Sequence, residues 1–62
     1  MQPDLYALAV TLRTNSESAM AGIDIMLKKH LDYVPQLSVL WGLLDQVHEV
    51  AGVLENDATQ AQ

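Results

Sequence analysis

The chain contains no cysteine and no phenylalanine. Without cysteine no disulfide can staple a small fold, and a reducing compartment is compatible with that absence. Positive charge is nearly missing too. Lys and Arg total 3 against 8 Asp and Glu, for a net charge of −5. The three cations are Arg13, Lys28 and Lys29, so everything from Pro35 onward is acidic or neutral. Phosphate contacts need Lys and Arg, and docking on an anionic membrane favours a basic polar face. Both are therefore disfavoured for the second half of the chain. No apolar run, the stretch Val39 to Leu44 included, approaches the ~20 residues of a membrane span. The apolar run LYALAV near the start follows Asp4 and no Lys or Arg, the wrong leader for a secretory signal. These absences predict a soluble, cytoplasmic protein that uses neither membrane nor nucleic acid.

Chemistry-bearing residues are also scarce. The glycines, at 22, 42 and 52, are dispersed, so there is no glycine-rich phosphate loop. A nucleophile would have to be a serine or threonine activated by His30 or His48. Ser16, Ser18 and Ser38 have no recognisable elbow or triad context. Asp45-x-x-His48 has the carboxylate-x-x-His spacing of helical di-metal sites, but those require two such pairs and two further glutamates. His30 and His48 would also lie ~15 Å apart along a hairpin, too far for one ion within a chain. The expectation is no catalytic residue, no metal and no cofactor.

The apolar pattern is far more informative. From Val34 to Leu54 the chain reads VPQLSVLWGLLDQVHEVAGVL. Pro35 suits the first turn of a helix, where its missing N–H would have had no partner. Leu37, Leu40, Leu44, Val47, Ala51 and Leu54 then recur at spacings of three and four, an a/d stripe. A second row, Val39, Leu43, Val50 and Val53, runs beside it, and Trp41 widens the first row on its other edge. At ~100° per residue the apolar arc covers roughly two-thirds of the circumference. Packing on one neighbour needs an arc of only about 100° or a little more. The excess must meet a second surface.

The first half is read as one long helix from about residue 3 to 32. Pro3 and Asp4 open it. The polar stretch Thr14 to Ser18 could instead start a new helix, because Thr14 with Glu17 fits a capping box. Phase favours continuity: Leu5, Leu8, Ala9, Leu12, Ser16, Ala19, Ile23, Met26, Leu27, His30 and Val34 all fall within about 100° of one helix. Lys28 and Lys29 suit the negative end of its dipole. A short link around residues 32–35 makes the helices antiparallel neighbours.

The predicted fold is therefore all-α, an antiparallel helical hairpin with helices at about 3–32 and 35–55. Residues 1–55 form one domain and 56–62 a flexible C-terminal tail. A 6.8 kDa chain should expose ~4,000 Å² when compact and ~9,900 Å² when unfolded. Burial then contributes ~90 kcal/mol, and chain ordering costs about the same. Pairing into a four-helix-bundle homodimer is the expected source of further stability. The interface residues expected from helix 2 are Leu37, Leu40, Trp41, Leu43 and Leu44, then Val47, Val50 and Leu54. Helix 1 is expected to add Ile23 and Met26. The expected function is a non-enzymatic protein–protein interaction module, a small acidic regulator, adaptor or inhibitor that covers a partner protein's surface. The alternative is a nucleic-acid-binding hairpin dimer using Arg13, Lys28 and Lys29, although three cations per chain are few.

Overall fold

A computed structural model describes residues 4–61. Helix α1 spans Leu5–Lys29, a single 3-10 turn covers Leu31–Tyr33, and helix α2 spans Val34–Ala61. Asp4 caps α1, its carboxylate accepting the backbone N–H of Tyr6 at 3.1 Å. That satisfies one of the donors a helix start leaves unpaired. Pro3, the other expected start signal, lies outside the described residues. α1 runs without interruption through Thr14–Ser18. Its threonines do not break it: Thr11 and Thr14 turn their hydroxyls back to the carbonyls of Ala7 and Val10, each at 2.9 Å.

Three boundaries differ from the sequence-based expectation. α1 ends at Lys29 rather than near 32, because His30 leaves helical geometry at φ −125, ψ 73. The cap is closed by the His30 N–H donating to the Met26 carbonyl at 2.8 Å. Val34 is helical although it precedes Pro35, at φ −54 and ψ −45. The bias of a pre-proline residue against helix is overridden here, with Pro35 in the first turn, where its missing N–H forfeits no helical bond. The third difference is at the end: 56–61 are helical, not a tail. Ala58 keeps the seven-residue spacing from Ala51 and is 7% exposed, and Thr59 donates its hydroxyl to the Glu55 carbonyl at 2.8 Å. A polar, unpatterned stretch therefore extends the helix to Ala61, with Ala58 buried against α1.

The two helices lie antiparallel. Arg13 meets Glu55 and, four residues on, Glu17 meets His48. The result is a slab of 46 × 20 × 14 Å. Its centre is built of small residues. Ala9, Ser16, Ala51 and Ala58 are the buried ones among the described residues, seven apart on each helix. Ser16 is satisfied where it sits, donating to the Arg13 carbonyl at 2.9 Å. Among the described residues no larger side chain is fully buried. The chain exposes 4734 Å², roughly 700 Å² more than a compact chain of its mass should.

Candidate interaction surface

Two stripes compete for the inner face of α2, and both keep spacings of three and four. The structure selects Leu37, Trp41, Leu44, His48, Ala51, Glu55 and Ala58, all buried or half-buried. The purely apolar row expected from the sequence is split. Leu37, Leu44 and Ala51 are on the seam, but Leu40 and Val47 stay 49% and 42% exposed. On α1 the inward row is Ala9, Arg13, Ser16, Met20, Ile23 and Leu27. The pattern missed Arg13, His48 and Glu55 because it scores polar side chains as outward. They are tolerated here because Arg13 pairs with Glu55 and His48 with Glu17.

That network occupies one flank of the seam. The Arg13 guanidinium donates from Nε to Glu55 at 2.6 Å and from Nη2 to its other oxygen at 3.5 Å. Arg13 Nη1 also lies 3.5 Å from Glu17. Glu17 in turn shares a hydrogen bond with His48 Nε2 at 2.8 Å. The hydrogen bond to Glu55, then its charge, raises the Arg13 pKa further above its ordinary value. The hydrogen bond with His48 is the main cause holding the Glu17 carboxyl below its ordinary 4.5, against an opposing desolvation. Paired opposite charges across two helices fix their register. Arg13 is thus engaged within the chain, and the lysine pair lies about 22 Å farther along α1. Trp41 is half-buried, and among the described residues its Nε1 is the shielded side-chain polar atom without a partner.

The opposite flank is apolar across both helices. On α1, Leu5, Leu8, Leu12, Ala19 and Met26 are exposed, at spacings that follow a second heptad row. On α2 the matching row is Leu40, Leu43, Val47, Val50 and Leu54. Leu43 and Val50 are 54% and 67% exposed, and Leu54 is half-buried at the boundary. The two rows meet in an open groove of about 320 Å³ lined by Leu12, Gln46, Val47, Val50, Ala51 and Leu54. Of the residues expected at an interface, the structure therefore places Ile23, Leu37, Trp41 and Leu44 between the two helices. It places Met26, Leu40, Leu43, Val47 and Val50 on this open face, with Leu54 at its edge.

His30 caps α1 and stands edge-on to Tyr33, 6.4 Å between ring centres, while His48 belongs to the ion network. Asp45, His48 and Glu49 share a shallow surface depression with Gly52, and no group of three metal-ligating side chains occurs among the described residues. No helix among them is long and apolar enough to cross a membrane. Compared with protein-family models, curated proteins and solved structures, the chain matches none.

Proposed function

We propose that this chain is a non-enzymatic interaction module: a homodimer whose apolar faces close into a four-helix bundle and whose acidic outer faces cover a partner protein. The observation that carries the reading is the open apolar face. The surface in excess of a compact chain, roughly 700 Å², approaches the ~800 Å² per partner of a standard protein interface. Both helices contribute heptad-spaced rows to that face, the pattern of a bundle half. A second copy offers the same rows and so is self-complementary, as a two-fold interface requires.

What remains outside after pairing is acidic. Asp45 and Glu49 lie on exposed positions of α2 away from its apolar row, and no Lys or Arg follows Lys29. The partner surface that such a bundle would cover is basic, and the action is steric: an adaptor, an inhibitor or a small regulatory subunit. Molar mass by light scattering on a sizing column, across dilution, tests the first step. Two chains at micromolar concentration are expected. A single-chain mass with intact helicity would remove the homodimer and leave the apolar face to a different protein.

A further inference from the structure

We infer that the second copy lies head to tail on the apolar face, with the two-fold axis running across the hairpins. α1 then packs on α1 of the other copy, α2 on α2, and the two turns point to opposite ends. The inference rests on the homodimer reading above and adds the orientation.

Two apolar faces can be stacked by a two-fold axis in only two ways that keep the helices nearly aligned. The axis runs along the hairpins, which puts both turns at one end and α1 on α2, or across them. Charge separates the two. The half of the hairpin near the turn, residues 18–47, carries Asp24, Asp32 and Asp45 against Lys28 and Lys29. The open half carries Asp4, Glu17, Glu49, Glu55 and Asp57 against Arg13. The chain's −5 is therefore divided as −1 and −4. The lengthwise arrangement sets the two acidic halves side by side. The crosswise one sets the lysine-bearing half of each copy beside the acidic half of the other, which lowers repulsion and favours encounter.

The exposed apolar residues at the two ends point the same way. Leu5 and Leu8 stand 52% and 44% exposed at the open end, and Leu31 stands 76% exposed at the turn. The cross-helix pairs Arg13–Glu55 and Glu17–His48 put Val47 level with about Met20. A crosswise axis through that level brings Leu8 of one copy level with about Leu31 of the other. A lengthwise axis puts Leu5 and Leu8 beside the polar stretch at Thr59 and Gln60. The α2 row is also balanced about Val47, with Leu40 and Leu54 one heptad away on either side.

Because the chain lacks cysteine, one substitution gives a single labelling site. Asp32→Cys, exposed in the turn, takes a nitroxide, and pulsed electron–electron resonance reads the distance between the two copies. The crosswise dimer gives about the length of the slab, 46 Å. A distance of about 20 Å, the width of the slab, would overturn the orientation while keeping the dimer. Absence of dipolar coupling together with a single-chain mass would overturn the homodimer, and the orientation with it. Val47→Cys gives an independent readout: on the crosswise axis it meets its own copy and oxidises to a disulfide-linked dimer, whereas failure to link contradicts that axis.

Discussion

Val50→Asp separates the open face from the hairpin seam. Val50 is 67% exposed, so most of its side chain is still in water in the single chain. Valine and aspartate have nearly equal helix propensity. Loss of the buried third should cost the hairpin under about 1 kcal/mol, scaled from the ~1.5–3 kcal/mol of full burial. Dimerisation covers the rest, about 1–2 kcal/mol per copy on the same scale. A carboxylate closed into an apolar contact adds ~1–3 kcal/mol. Each dimer carries the change twice, so the dissociation constant should rise roughly a thousandfold or more, at tenfold per 1.4 kcal/mol. Sedimentation equilibrium with circular dichroism on the same samples reads both effects. The variant should weigh one chain at concentrations where the parent weighs two. Leu44→Asp is the contrast. Leu44 sits between the helices, and a carboxylate there should cost on the order of 3 kcal/mol and remove helicity at every concentration. If Val50→Asp retains the two-chain mass, the apolar face is not where the copies meet.

Two further results follow from positions outside the apolar face. At Gly42 and Gly52 an added Cβ meets nothing within 4 Å, so each glycine-to-alanine change should add about 1 kcal/mol and raise Tm by roughly 4–8 °C. A lower Tm would mean that the face is covered in the assembled protein. Acid sensitivity should trace in part to Glu17. Its folded pKa lies below 4.5, so its stabilising contribution is complete above that value and is lost as pH falls through the folded one. Tm of the parent should drop between neutral pH and pH 3 more steeply than that of Glu17→Gln, and equal slopes would show that the pair with His48 contributes nothing.

The helices themselves were legible because the signals that specify them are local. Asp4, Lys28, Lys29 and Pro35 act within one turn of the backbone they cap, and the three–four spacing of apolar residues is written along the chain. The apolar residues on either side of Thr14–Ser18 share one phase because α1 is continuous there and a continuous helix keeps its angle. Which row faces inward was not legible. Leu40 and Val47 compete with Trp41 and His48 one residue away, and hydropathy alone prefers the first pair. The choice is made between helices: small residues at 9, 16, 51 and 58 let the backbones approach, and Arg13, Glu17, His48 and Glu55 pair across the gap. Each of these four is unremarkable until its partner arrives from the other helix.

The last turns of α2 show the same division. Residues 56–61 carry no apolar stripe, only the alanines at 58 and 61, and read as a tail. α1 supplies the surface that buries Ala58, and a neighbour on another helix is invisible in the local pattern. From its residues alone the chain is a pair of antiparallel helices, without disulfides, acidic, and with more apolar surface than one partner can cover, because composition and periodicity count side chains. The packed hairpin alone decides where that surface lies, because an inward face is selected by two helices together: the polar network closes one flank and leaves the apolar one open.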